Sequence, residues 1–154
     1  MNKYAIVTCE FTFEASHHLS GNSGRCQRPH GHSYRLQVSL RGPIVQTPGR
    51  SDNGTVIPFE ELERSVERMI LQGMYADIPC SDIEGGLDYN DLNALTGIRT
   101  TPENMVHWIW DALVTCGVPD NLLYRIRLWE TEKWCAEITH AERGTDKVED
   151  KEFE

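Results

Sequence analysis

Three histidines, His17, His30 and His32, have the spacing of a metal site. His30 and His32 are two residues apart, so their side chains lie on the same face of an extended strand. A loop with turn residues separates them from His17 and would bring all three imidazoles together. Three neutral imidazoles can bind Zn²⁺ and leave a fourth position for water or substrate. The spacing predicts a catalytic zinc site; the alternative is that these are ordinary hydrogen-bonded histidines.

Cys26 lies four residues before His30 and is flanked by Arg25 and Arg28. Cationic neighbours and a nearby metal lower the pKa of a thiol and favour the thiolate. Such a cysteine can act as a base or a nucleophile. It could equally be a fourth zinc ligand that closes a structural site, and the spacing leaves both interpretations open.

Three carboxylates are candidates for the same site. Glu130 follows the alternating apolar residues of segment 124–128, so it is either a carboxylate that ends a buried face or a turn residue. A buried carboxylate needs partners, and the adjacent N–H groups of a pterin or guanine edge would supply them. Glu103 fits a capping box that starts at Thr100. Asp88 alone indicates an Asx turn or a helix cap.

The elements that must position these residues form an α+β pattern. Period-2 alternation predicts strands at residues 5–17 and 32–42, and two further strands at 122–130 and 134–141. Helical spacing predicts helices at 59–71 and from 100 or 101 to 117, with a long loop at 73–86 between them. The prediction is an antiparallel sheet with two helices on one face.

Composition limits the protein class. The chain has 154 residues, enough for one domain, which we place at residues 1–141, with an acidic tail at 142–154. Its 24 Asp+Glu against 15 Lys+Arg argue against a nucleic-acid partner. No apolar run is long enough to span a membrane, and without a signal-peptide pattern we expect a cytoplasmic location. Five irregularly spaced cysteines argue against a disulfide framework.

Taken together, these residues resemble the 6-pyruvoyltetrahydropterin synthase superfamily. The spacing from Cys26 to the histidine pair is most similar to that of its 6-carboxytetrahydropterin synthase (QueD) branch. The matching stretches are FEASHHL at 13–19, CQRPHGHSY at 26–34, GTVIPF at 54–59, LD at 87–88, TPEN at 101–104 and ET at 130–131.

The resemblance implies a fold, a site and a reaction. The fold would be the tunnelling fold (T-fold), whose four-stranded antiparallel sheet with two helices assembles into a trimeric barrel and usually a homohexamer. The zinc ligands would be His17, His30 and His32, and the catalytic residues Cys26, Asp88 and Glu130, with Glu103 and Glu130 contacting the pterin. The implied reaction converts 7,8-dihydroneopterin triphosphate to 6-carboxytetrahydropterin, releasing triphosphate and acetaldehyde, for 7-deazaguanine (queuosine-type) synthesis.

Three features depart from the family pattern. Tyr89 replaces the histidine that usually follows Asp88, Pro58 replaces the usual aspartate before Phe59, and the loop at 73–86 is longer. A tyrosine, with a pKa of about 10, is a poorer base at neutral pH than a histidine. Two alternatives remain: a 6-pyruvoyltetrahydropterin synthase, which has the same fold but releases no acetaldehyde, and a non-catalytic pterin-binding homologue, which Tyr89 favours. Candidate triphosphate contacts are Arg25, Arg28 and Lys133, each of which could also be a generic surface cation.

Overall fold

The structure, a computed structural model, describes residues 2–21, 24–72 and 85–143. Its strands are β1 (Tyr4–His17), β2 (His30–Pro43), β3 (Asn90–Asp91), β4 (Leu123–Trp129) and β5 (Cys135–Thr139). Its helices are α1 (Phe59–Glu67), α2 (Leu92–Thr96) and α3 (Pro102–Thr115). A 3₁₀ turn covers Gly24–Gln27, and α1 continues as a π-helix over Arg68–Gln72.

One sheet with the strand order β3-β1-β2-β4-β5 organises the fold. Its four long strands pair antiparallel, as the alternating sequence pattern predicts. One face carries the buried residues of β1, β2 and β4, and it packs against α1 and α3 in a single core. The core side chains come from each of these elements, for example Phe13, Leu36, Leu62, Ile109 and Ile126. The α+β prediction with two helices on one face is confirmed.

The sheet has one strand more than the sequence predicts. β3 is only two residues long and pairs in parallel with Ala15 and Ser16 of β1, so the sheet is mixed rather than purely antiparallel. The five-residue helix α2 follows it directly. An element of two or five residues is too short to produce a periodic apolar pattern, so the sequence pattern could not reveal either one.

The register of β1 with β2 determines where the histidines lie. The two strands pair over their full length, and His17 stands directly opposite His30. The next pair on the same face is Ala15 with His32. β2 starts two residues earlier than predicted, and this extension brings His30 into the sheet.

Two predicted segments lie largely outside the described residues. Positions 73–84 of the long loop are outside them, as are positions 144–154 of the acidic tail. Of the tail, Glu142 accepts a hydrogen bond from the backbone of Thr139, and Arg143 forms an ion pair with Asp111 on α3. No helix of the described residues is long and apolar enough to cross a membrane.

Candidate metal and pterin site

The three histidines converge at one end of the β1–β2 ladder. One ring nitrogen from each of His17, His30 and His32 lies within 4.8 Å of the other two. The ring centroids are 4.6 to 5.1 Å apart, and the rings meet edge to face. His17 is only 1% exposed, because it lies at the core end of the cluster. Among the described residues, this is the one group of three or more potential ligands that could hold a metal ion.

Backbone carbonyls orient two of the three imidazoles. His17 Nδ1 lies 3.0 Å from the carbonyl oxygen of Thr100, and His30 Nδ1 lies 2.7 Å from that of Arg28. A carbonyl can only accept a hydrogen bond, so each Nδ1 carries the proton and donates it. The lone pair of each neutral ring is then on Nε2. Metal-binding histidines are typically oriented in this way.

Burial favours the neutral form of two of these histidines, His17 and His32. It is the main cause that lowers the pKa of His17 and of His32 below the usual value for histidine, and the neighbouring imidazoles lower both pKa values further. A metal binds the neutral ring, so burial favours the form of His17 and His32 that can act as a ligand.

Glu130 lies at the edge of the histidine cluster. Its Oε1 atom is 3.2 Å from His17 Nε2 and 3.7 Å from His32 Nε2, and its side chain is 20% exposed. Burial raises the pKa of Glu130, against the opposing effect of the histidines. Strand β4 ends one residue earlier, at Trp129. Glu130 is therefore the first residue of the turn, and its carboxylate nevertheless faces the buried site.

The contact between His17 and Glu130 is one that a cation would stabilise. His17 Nε2 is buried and has no hydrogen-bond partner. Because Nδ1 of the neutral ring holds the proton, Nε2 directs a lone pair towards an acceptor oxygen of Glu130. A metal ion bound to the imidazole nitrogens would satisfy this orphaned atom. The donor set of three neutral imidazoles therefore fits a zinc-type ion.

Glu103 lies near Glu130 but does not occupy the predicted capping position. Thr101 is the N-cap of α3, and its hydroxyl accepts a hydrogen bond from the backbone N–H of Asn104. The capping box predicted a cap at Thr100, which is wrong by one residue. Thr100 instead faces the buried His17 ring. The negative charge of Glu103 contributes to the raised pKa of Glu130, so the two carboxylates share one environment.

Cys26 lies on the exposed 3₁₀ turn before β2. Its carbonyl oxygen accepts a hydrogen bond from the Leu19 backbone N–H at 2.7 Å, which ties the turn to the end of β1. Its thiol is not a member of the histidine group within the described part of the chain. The geometry therefore gives no support to a fourth protein ligand at Cys26, and its role as a base stays a prediction.

Asp88 and Tyr89 lie on the other side of β1. Asp88 Oδ1 accepts a hydrogen bond from the backbone N–H of Glu14 at 2.9 Å, and the Tyr89 N–H donates to the Glu14 carbonyl at 2.6 Å. Tyr89 has a positive φ of 55° and is 86% exposed. Within this chain, Asp88 therefore anchors a turn, while Tyr89 extends away from the core.

Two cavities are each lined in part by one histidine of the pair His30 and His32. A cavity of about 320 Å³ is lined by His32, Tyr89 and the ends of β1 and β3. A second cavity, of about 560 Å³, is lined by His30, Arg28 and neighbouring residues of the 3₁₀ turn. Of the candidate triphosphate contacts, Arg28 borders this second cavity. Lys133 lies in the turn after Glu130, where its N–H donates to the Thr131 hydroxyl.

Sequence reasoning missed two residues of the site. Thr100 orients His17, but in the sequence it indicated only a helix cap. Tyr34 packs 5.6 Å from His32 and 6.3 Å from His17, measured between ring centroids, and it is almost fully buried. The alternating pattern predicted that Tyr34 lies on the same face of β2 as the histidines. It did not predict that the Tyr34 hydroxyl is buried without a hydrogen-bond partner.

The sequence is similar to those of known pterin enzymes. The family model described as 6-pyruvoyl tetrahydropterin synthase matches residues 6–141. The chain is 32% identical over 127 residues to a 6-carboxy-5,6,7,8-tetrahydropterin synthase of Synechocystis sp., covering 82% of this chain and 86% of that one. It is 29% identical over 142 residues to a 6-pyruvoyl tetrahydrobiopterin synthase of Dictyostelium discoideum, covering 86% and 93%.

A solved structure shows the same fold. The Caenorhabditis elegans 6-pyruvoyl tetrahydropterin synthase superposes with a TM-score of 0.68 at 19% identity, covering 90% of this chain and 96% of that chain. The T-fold prediction is confirmed. On the family match, which spans nearly all of the described residues, the chain belongs to the 6-pyruvoyl tetrahydropterin synthase family.

Proposed function

We propose that this chain is a zinc-dependent 6-carboxy-5,6,7,8-tetrahydropterin synthase. The reaction would convert 7,8-dihydroneopterin triphosphate to 6-carboxytetrahydropterin, releasing triphosphate and acetaldehyde, as a step of queuosine-type 7-deazaguanine synthesis. The observation that carries the proposal is the cluster of His17, His30 and His32 beside the half-buried carboxylate of Glu130. The Synechocystis relative, which has the carboxy activity in its name, supports the choice of branch.

The residues divide into a metal-binding set and a substrate-binding set. The three histidines would hold Zn²⁺ through Nε2, with Thr100 and the Arg28 carbonyl keeping the rings of His17 and His30 in place. The chemistry that Zn²⁺ supplies when bound there is Lewis-acid polarisation of hydroxyl and carbonyl oxygens. Glu130 would accept hydrogen bonds from the N–H edge of the pterin, and Glu103 would make a second contact.

Cys26 would move the proton. It lies on the exposed turn that leads into His30 and does not belong to the histidine group, which supports a role other than that of a metal ligand. Its thiolate would remove a proton from the substrate side chain. Asp88 would act with the neighbouring residue 89 as a relay. Because Tyr89 replaces a histidine there, the relay is where this chain differs most from the family pattern.

Assembly into a homohexamer built from two trimers is part of the same proposal. β1 pairs with β3 over only two residues, and β5 pairs with one neighbour, β4, in the described chain. Open strand edges favour pairing with another copy. We expect light scattering at micromolar concentration to give a hexamer, and a monomer under these conditions would contradict the barrel. In each copy, residues 1–141 would form a single domain and residues 142–154 a tail. The protein would be located in the cytoplasm.

Product analysis tests the function. Zinc-loaded protein incubated with 7,8-dihydroneopterin triphosphate should yield 6-carboxytetrahydropterin, acetaldehyde and triphosphate, and mass spectrometry separates these from 6-pyruvoyltetrahydropterin. The variant Glu130→Gln should lose this activity, whereas His18→Ala, which alters the neighbour of a ligand, should keep it. A pyruvoyl product without acetaldehyde would assign the chain to the other branch.

A non-catalytic pterin-binding role is the second candidate, and the exposed Tyr89 favours it. Under this alternative the chain keeps the metal cluster and Glu130 but lacks an effective relay. Its signature would be tight binding of the pterin triphosphate with no product of either kind.

A further inference from the structure

The hydroxyl of Tyr34 is buried without a partner. Tyr34 is 1% exposed, and its oxygen has no hydrogen bond in the structure. A buried hydroxyl that makes no hydrogen bond carries a desolvation penalty, which phenylalanine in the same space would avoid. A state of the site that supplies a hydrogen-bond partner would remove this penalty.

The sheet register identifies that partner. Arg35 of β2 pairs with Trp129, the last residue of β4, and Tyr34 and Glu130 are the next residues beyond this pair at the same end of the ladder. Both approach the same histidine: the Tyr34 and His32 ring centroids are 5.6 Å apart, and Glu130 Oε1 lies 3.7 Å from His32 Nε2. The tyrosine ring stacks on Phe13 at 5.0 Å with an interplanar angle of 9°, which fixes its orientation.

Glu130 faces the histidines in this structure, which leaves the tyrosine hydroxyl alone. The neutral His17 ring cannot donate to it, because its proton is on Nδ1 and is given to Thr100. The neutral His17 ring offers the Glu130 carboxylate no hydrogen-bond donor at Nε2, so the carboxylate must find its donors elsewhere. A pterin edge would supply donors on one side, and the unpartnered hydroxyl of Tyr34 is a donor at the same end of the sheet.

We propose that the Tyr34 hydroxyl donates a hydrogen bond to the Glu130 carboxylate in the pterin complex and positions that carboxylate for the ligand. The inference rests on the proposed function, because it requires a pterin bound at Glu130. Tyr34 is a positioning residue here, since it acts through Glu130.

The test compares Tyr34→Phe with Tyr4→Phe, a matched control that removes a hydroxyl from a side chain 56% exposed at the start of β1. Zinc-loaded proteins are titrated with 7,8-dihydroneopterin, which lacks the triphosphate, and binding is followed by fluorescence. Tyr34→Phe should raise the dissociation constant about tenfold to a hundredfold, the range for losing a hydrogen bond to a charged group. Tyr4→Phe should leave it unchanged.

Three further measurements separate positioning from a structural role. The thermal midpoint of metal-free Tyr34→Phe should equal or exceed that of the wild type, because the hydroxyl has no partner to lose there. Its zinc affinity should stay within about threefold, since the histidines are untouched. In the Glu130→Gln background, adding Tyr34→Phe should change pterin binding far less than it does alone, because the two groups act together.

The outcomes separate the inference from the proposed function. If the wild type binds the pterin in a Glu130-dependent way and Tyr34→Phe binds it equally well, the inference alone is overturned. A marked loss of stability or of zinc in Tyr34→Phe also overturns it, because the hydroxyl would then have a structural partner. If the wild type binds no pterin, both proposals fail together.

Discussion

Zinc should stabilise this protein through His17, and the size of the effect follows from the site. A ligand that binds only the folded state at 100 times its dissociation constant stabilises it by about 2.7 kcal/mol. For a chain of 154 residues, each kcal/mol raises the thermal midpoint by about 2–4 °C. Zinc at that excess should therefore raise the midpoint of the wild type by about 5–11 °C. His17→Ala should abolish this rise.

The metal-free variant provides the internal check. His17→Ala loses the buried ring and its hydrogen bond to Thr100, worth about 1 kcal/mol. The same substitution removes the buried Nε2 atom that has no hydrogen-bond partner. Removing its desolvation penalty, about 1–3 kcal/mol, offsets part of the stability that the variant loses. A large-to-small change at a buried aromatic residue usually costs about 3–5 kcal/mol of stability. The thermal midpoint of metal-free His17→Ala should therefore fall by less than a loss of that size would cause.

The assay is thermal denaturation at one fixed protein concentration, with chelator or with excess zinc, together with metal analysis. His18→Ala is the matched control, because His18 bonds to Asn93 through its backbone N–H and C=O, which alanine retains. Its zinc-dependent rise should equal that of the wild type. Full zinc stabilisation of His17→Ala, or its loss in His18→Ala, would refute the ligand assignment.

Three further predictions concern the chemistry. Cys26→Ala should keep its zinc but lower turnover by about 10²–10⁴-fold, as for one proton-transfer group; loss of zinc in metal analysis would make Cys26 a ligand instead. Tyr89→His should raise the rate near pH 7, because imidazole titrates close to neutrality; a lower rate in steady-state assays would indicate that the phenol acts as an acid. Zinc affinity should fall at acidic pH as protons compete for His17 and His32. Because burial lowers both pKa values, the fall should begin below the usual histidine value of about 6.5. Competition with a chromophoric chelator between pH 5 and 8 measures this, and a flat profile would contradict it.

The histidine cluster could be predicted because strand parity is a local property. In β1 and β2 the apolar residues alternate up to the histidines, so the face on which each imidazole lies follows from counting. The antiparallel hairpin then places His17 opposite His30. Neither step requires knowledge of the rest of the chain. For this reason His17 could be placed beside His30 and His32, although a loop separates them in the sequence.

The contacts that complete the site could not be predicted in the same way. The partner of His17 is a carbonyl 83 residues away, at Thr100. Every residue type has a carbonyl, so no sequence pattern marks this one. In the sequence the Thr100 hydroxyl indicated a helix cap. In the structure the cap is the next residue, Thr101. The short helix α2 was also not predicted, although it begins after the N-cap residue Asp91 and ends at the left-handed Gly97.

The residues proposed for binding and those proposed for turnover lie on different parts of this fold. The three proposed metal ligands lie on two long paired strands, and Glu130 directly follows a third, so the surrounding ladder fixes their positions. Cys26 and Tyr89 lie on exposed turns, where the core places few constraints on the side chain. A substitution such as tyrosine for histidine at position 89 can therefore alter proton transfer without disturbing the histidines or Glu130. Metal affinity, pterin affinity and product formation must be measured separately, because this architecture allows the first two to persist after the third is lost.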